Sequence, residues 1–173
     1  LTVPQVTNLI SLGVIGTQII IAILIVLILL PKSGNRIKSF ISKYALEILF
    51  VMSLGASLGT FFYSSIAGLV PCRLCWYQRI MMFPQVIIGA IALIKKDRSV
   101  IDYLLALSII GFVIGIYHYY VQFGGAELLT PCTIDGSCAD KPFVSFGYIT
   151  IPMMSVTAFA TLIVTSIIAK LKK

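Results

Sequence analysis

Charge is what this chain has least of. Asp, Glu, Lys and Arg make up 11% of its 173 residues, against about a quarter in an ordinary globular chain. Hydrophobic residues reach 59%. A soluble domain has too little polar surface to cover so much apolar side chain, so the composition is that of an integral membrane protein. Histidine occurs once. There is no C-x-x-C-H and no run of neighbouring His and Cys, so neither a c-type haem attachment nor a familiar metal pattern is present. No long basic tract with interleaved aromatics occurs, so the net charge of +7 does not point to nucleic acid. Repeats of solenoid period and low-complexity linkers are missing as well. The first apolar run has no basic residue before it and no A-x-A-like site after it, which argues against a signal peptide. The chain opens at Leu1 rather than Met, as a piece of a longer or processed product would.

What is present is a series of apolar stretches. Residues 9–30, 44–70, 78–94, 100–121 and 149–169 are each predicted to cross a bilayer as a helix, which takes about 20 apolar residues. The expected fold is therefore an all-α membrane protein of five spans. Gly55 and Gly59, and again Gly111 and Gly115, make G-x-x-x-G pairs that allow close helix approach. Residues 31–43 read as a basic loop and 122–148 as a polar, Gly-rich loop. In this arrangement ten of the 13 Lys and Arg fall on one side, in 31–43, 95–99 and the C-terminus. The positive-inside rule assigns that side to the cytoplasm. The N-terminus and all four cysteines then lie on the extracytoplasmic side, where disulfides persist. Trp76, Tyr77, Tyr117, Tyr119 and Tyr120 sit where an interfacial aromatic belt is expected.

Cys72 and Cys75 stand at C-x-x-C spacing where one apolar stretch gives way to the next. Arg79 follows Cys75 by four residues, so a helix starting near Cys75 carries the guanidinium on the same face as that sulfur. A thiol at a helix N-terminus beside a fixed cation ionises more easily, which suits a pair that cycles between dithiol and disulfide. A structural disulfide or half a zinc site would use the same spacing. Arg79 is a functional candidate because a cation within a span is costly, although a snorkelling Arg near the interface costs little. Cys132 and Cys138 flank Thr-Ile-Asp-Gly-Ser in the polar loop. They read either as a staple of that loop or as a second exchanging pair, since disulfide exchange needs a donor and an acceptor. His118 reads as a belt residue or as a hydrogen-bond donor to a bound ligand, and Gln78 and Gln122 can be read the same way.

Together these parts describe an electron relay. A substrate thiolate attacks the loop disulfide, and the reduced loop pair passes its electrons to Cys72 and Cys75. With no metal or haem motif to take them, a lipid-soluble quinone fits as acceptor, and Arg79 would stabilise negative charge beside it.

The chain resembles the disulfide bond formation protein B family (DsbB), and within it the BdbC-like branch. The carriers are Pro-Cys-Arg-Leu-Cys-Trp-Tyr-Gln-Arg at 71–79, Tyr-His-Tyr-Tyr-Val-Gln at 117–122, Pro-Cys-x5-Cys at 131–138 and Phe-Gly-Tyr-Ile-Thr-Ile-Pro at 146–152. The resemblance implies a four-helix transmembrane bundle over residues 44–173. Residues 1–43 then hold an additional N-terminal transmembrane helix and a basic cytoplasmic loop. It implies disulfides Cys72–Cys75 and Cys132–Cys138 in the bacterial cytoplasmic membrane. It implies a DsbA-like, thioredoxin-fold thiol oxidase as partner, and ubiquinone or menaquinone, with no metal, as acceptor. Cys132 would form the mixed disulfide with the partner, Cys138 would resolve toward Cys72, and Cys75 would engage the quinone with Arg79 and His118 close by. Two features depart from the family. The first helix is extra to its four, and the loop between the cysteines is short beside long-loop members. Gln78 stands where some members carry an acid.

Two further readings share parts of this pattern. A vitamin-K-epoxide-reductase-like enzyme also links thiols to a quinone, but there the C-x-x-C follows the loop cysteines and here it precedes them. A non-enzymatic membrane protein with structural disulfides, or a four-thiolate zinc site, would hold its sulfurs without cycling them.

Overall fold

The computed structural model describes residues 2–29, 34–125 and 137–171. Among these, six helices follow one another: α1 (Val3–Leu29), α2 (Gly34–Lys43), α3 (Ala45–Phe61), α4 (Arg73–Lys95), α5 (Ile101–Gln122) and α6 (Ile151–Leu171). All but α2 are long and apolar enough to span a bilayer, α3 together with the turn that follows it. The protein is an all-helical, multi-pass membrane protein. In such a chain every backbone polar group must be paired within the span, which helices achieve segment by segment.

Four of the spans form a ring. α3 packs on α4, α4 on α5, α5 on α6, and α6 closes back onto α3. Leu49, Leu104, Phe159 and Leu162 fill its centre and are almost wholly buried. α1 stands outside the ring, against α6 and α2, and turns Leu9, Leu12, Ile19, Ile20, Ile23 and Val26 outward. Residues expected as a basic loop form α2 instead. Ile41 and Ser42 are buried on one side of it, while Arg36 and Lys43 are exposed. An amphipathic segment of this kind gains by winding into a helix once a neighbour covers its apolar face. Arg98 donates to Ser42 Oγ at 2.9 Å, and Lys170 pairs with Asp102 at 2.6 Å, so the basic clusters gather at one end of the bundle. Cys72, Cys75 and Cys138 lie at the other end.

The second span ends earlier than its apolar run. After Phe61 the chain takes a π-helical turn over Phe62–Ile66, with Ala67 N–H donating to Phe62 O at 3.0 Å. It then leaves the helix at Gly68, whose φ of 69° favours glycine. The third span starts earlier than expected, at Arg73 rather than 78, because the C-x-x-C lies in its first turn. Within α4, Pro84 supplies no N–H to the ladder. Nearby, Gln85 Nε2 donates to Met81 O at 3.0 Å, and Ser108 Oγ donates to Gln85 Oε1 at 3.0 Å. This buried polar pair ties α4 to α5, and the apolar pattern gave no sign of it.

The two glycine pairs do opposite things. A Cβ at Gly111 would lie 2.2 Å from the Phe159 ring, and one at Gly115 would lie 2.9 Å from Val156. These glycines let α5 and α6 close on each other, as the motif predicts. Gly55 and Gly59 on α3 would meet nothing within 4 Å. They bring no helix close; they border open space.

Gly111→Leu should therefore lower thermal stability in detergent, by about 1–3 kcal/mol for forced overpacking. Gly55→Ala should leave the melting temperature unchanged or slightly raised. Equal losses in the two variants would show that the bundle does not distinguish the pairs.

Candidate functional site

Cys72 is the N-cap of α4. Its backbone is extended (φ −71°, ψ 173°), and its sulfur accepts from the N–H of Cys75 at 3.4 Å. An N-cap side chain normally offers oxygen to the first free amides of a helix; here sulfur takes that place. Pro71 before it suits a residue entering the helix from extended backbone. The same sulfur lies 3.2 Å from Cys75 Sγ and 3.5 Å from His118 Nε2 on α5. Gln78, one turn along α4, donates from Nε2 to His118 Nδ1 at 2.9 Å. With Nδ1 accepting, the ring proton sits on Nε2 and is directed at Cys72 Sγ. Cys72, Gln78 and His118 are all buried.

The Cys72 thiol is consequently held below the ordinary thiol range. The hydrogen bond from the Cys75 thiol contributes most. Burial opposes it, and His118 and the Cys75 N–H add to the lowering. Once Cys72 is ionised, the proton between the two sulfurs belongs to Cys75. The cap position and the imidazole both serve Cys72, whereas helix spacing alone singles out Cys75.

Arg79 is half-buried on α4. Its Nη2 donates to Thr60 O at 3.2 Å, and its guanidinium lies 5.1 Å from the centre of the Trp76 ring. It does act electrostatically on both sulfurs, Cys75 more than Cys72. Its hydrogen bond, however, runs to α3. The carbonyl of Thr60, next to the π-helical turn, is a partner that no side-chain pattern could reveal.

Cys72 and Cys75 are free thiols in this structure. Their sulfurs face each other at 3.2 Å, close enough for the pair to exchange between dithiol and disulfide. Cys138 is disulfide-bonded; Cys132 lies outside the described residues. Cys138 is nearly fully buried and joins Cys72, Leu74 and Val121 in one cluster, with Cys75 packed against it. Gln122 Nε2 donates to Asp140 O at 2.8 Å, fastening the segment after Cys138 to the end of α5. Two cysteine positions 66 residues apart in sequence (72 and 138) thus share one pocket of the core.

Beside them opens a cavity of about 900 Å³. Cys72, Cys75, Gln78, Arg79, His118 and Gln122 border it, together with apolar residues of α3 and α6 such as Val51, Met52, Ala56 and Met154. The volume and the mix of an apolar wall with a few convergent polar groups are those of a small-molecule site. Gln122 Oε1 is buried and has no hydrogen-bond partner among the described residues. One further constellation was hidden from the sequence. Cys72 Sγ, Cys75 Sγ and a His118 ring nitrogen all lie within 4.8 Å of one another, a grouping of metal-ligating types that the linear pattern lacked.

Residues 42–169 match the family profile described as "Disulfide bond formation protein DsbB". The chain belongs to the DsbB family. Disulfide bond formation protein C of Bacillus subtilis (strain 168) is 40% identical over 124 residues, 71% of this chain and 90% of that protein. The SPbeta prophage-derived disulfide bond formation protein B of the same organism is 42% identical over 114 residues, 65% of this chain and 76% of the relative. A probable disulfide formation protein of Chlamydia pneumoniae is 37% identical over 132 residues, 76% of this chain and 96% of the relative. No solved structure matches the chain. The DsbB-family match begins in α2, so α1 lies outside it.

For this DsbB-family chain the raised acidity of Cys72 has a direct readout. An unfolded thiol titrates near 8.5. The folded thiolate should persist well below that value. Its contribution to stability is fully present above the unfolded value and is lost as pH falls toward the folded one. Thiolate absorbance of the reduced protein, minus that of Cys72→Ser, should survive well below pH 8. A midpoint between 8 and 9 would contradict the hydrogen-bonded cap.

Proposed function

We propose that the chain is a membrane thiol:quinone oxidoreductase. It would reoxidise an extracytoplasmic, DsbA-like thioredoxin-fold oxidase and hand the electrons to membrane quinone, supporting disulfide formation in other proteins. Residues 44–173 would carry this activity, and residues 1–43 the additional helix and the basic segment α2. Family membership supports disulfide chemistry. One juxtaposition in the fold carries the finer reading: the disulfide at Cys138 shares a buried cluster with Cys72, while Cys75 and Arg79 border a largely apolar cavity.

In this reading a thiolate of the partner attacks the loop disulfide at Cys132. The second partner thiol then resolves the mixed disulfide, leaving the partner oxidised and Cys132 and Cys138 as thiols. Cys138 next attacks Cys72 of an oxidised Cys72–Cys75 pair, and Cys132 displaces Cys72 to restore the loop disulfide. Cys72 is a good leaving group because its thiolate is well stabilised. The result is a restored loop disulfide and a reduced C-x-x-C. Reoxidising that pair releases two electrons and the one proton that Cys75 still carries; a bound quinone would take up both, with its second proton drawn from water. Cys75 faces the cavity for this step. Arg79 places a fixed positive charge in the same low-dielectric wall, where it is worth far more than in water. His118, oriented by Gln78, holds the Cys72 thiolate and keeps it from taking the proton that Cys75 must lose.

The extracytoplasmic placement of the cysteines is supported by the basic clusters at the opposite end of the bundle. A second reading is favoured by the grouping of Cys72, Cys75 and His118, a Cys2His set that could take zinc with one open position. It would require His118 Nε2 to give up its proton and turn its lone pair from sulfur to metal. Metal analysis of the purified chain, with thiol counting before and after reductant, separates the two.

Cys75→Ser should abolish quinone reduction, followed by quinone absorbance, while Cys132 still captures the partner as a mixed disulfide. Arg79→Ala should lower quinone turnover about 100-fold and reduce folding stability by only about 1 kcal/mol, the hydrogen bond to Thr60. Normal turnover in Arg79→Ala would remove its electrostatic role.

A further inference from the structure

The helix outside the family match is not placed like a simple anchor. An anchor presents apolar side chains all round, but α1 turns Thr7, Ser11 and Gln18 toward the protein. Thr7 and Ser11 are buried, and Ser11 Oγ donates to Thr7 O at 2.8 Å. Gln18 is held at both ends of its amide. Nε2 donates to Thr157 Oγ1 on α6 at 2.9 Å, and Oε1 accepts from Tyr148 OH at 2.7 Å. An amide in a span is expensive unless paired, so this pairing fixes how α1 is rotated against the bundle. Residues 7, 11, 14 and 18 form one stripe at helical spacing. The adjacent stripe, Ile10, Gly13 and Thr17, together with Val14, borders the cavity that holds Cys75 and Arg79.

Gly55 and Gly59 of α3 border the same cavity. Gly13, Gly55 and Gly59 each have open space where a side chain would begin. Two helices that line this cavity therefore withhold side chains from it. A cavity meant for a compact ligand at the cysteines has no need of that. An extended apolar ligand does need it, since a narrow slot between two helices gives a chain continuous contact with both.

We propose that α1 is a wall of the acceptor site, and that the slot between Gly13 of α1 and Gly55 and Gly59 of α3 receives the isoprenoid tail of the quinone. This rests on the quinone reading above. It gives the additional helix a role in choosing acceptors by tail length. Because α1 lies outside the family match, the wall is an addition to the bundle that family members share.

The full chain in nanodiscs tests this with a long-tailed quinone carrying a photoreactive diazirine on its tail, and with kinetics on long- and short-tailed quinones. After irradiation, label should appear on peptides from residues 1–32 and be lost in Gly13→Phe. The ratio of KM for long-tailed to short-tailed quinone should rise about tenfold in Gly13→Phe and in Thr17→Trp. Ile20→Phe, on the outward face, should change neither label nor ratio. Label confined to α3–α6, with Gly13→Phe indistinguishable from Ile20→Phe, overturns this inference and leaves the quinone reading standing. No label anywhere, with no quinone reduced by the unaltered chain, overturns both.

Discussion

A thiolate in a membrane bundle needs donors before it needs anything else. Cys72 finds them because two helices end at the same place. The first turn of α4 supplies a free amide, and the last turns of α5 supply an imidazole N–H, oriented by Gln78. Neither helix alone provides both. Remove the packing of α4 on α5 and the sulfur is left in an apolar environment, where charge on it is strongly disfavoured. The reactivity of the C-x-x-C is therefore a property of a helix–helix contact, and the buried Gln85–Ser108 bond further along the same contact helps hold it.

The bundle is also uneven by design. α5 and α6 close tightly through Gly111 and Gly115, while α3 keeps Gly55 and Gly59 clear. One side of the ring is thus well packed, and the other is open enough for a cavity that reaches the cysteines. Packing density decides which glycine pair does which. A pair facing a large ring such as Phe159 is filled by it, and a pair facing small or absent side chains is left free. The polar stripe of α1 then sets a further helix at the open side.

The five spans were legible because hydrocarbon thickness demands a run of apolar residues that no other structure in this chain requires. α2 was not, since its residues read as a charged connection and became helical only with neighbours on Ile41 and Ser42. Of the candidate site, Cys72, Cys75, Gln78, Arg79 and His118 were all singled out in advance, and the fold gathers them around one cavity. That the cap and the imidazole both serve Cys72 was not legible, because helix spacing ranks Cys75 with Arg79 and the cap begins three residues earlier. The polar stripe Thr7, Ser11 and Gln18 was visible in the sequence at helical spacing, and it was the one available sign that α1 faces protein on one side.

By itself the sequence determined the membrane class, the number of spans, the end of the bundle that bears the basic residues, and the family. Each follows from composition or local order, which need no third dimension. Only the tertiary structure decided which sulfur receives the amide and imidazole donors, that Cys138 lies in the same core pocket as Cys72, that Arg79 leans on Thr60, and that α1 borders the cavity. Those outcomes depend on distances between residues far apart along the chain, and such distances come into being only when helices pack.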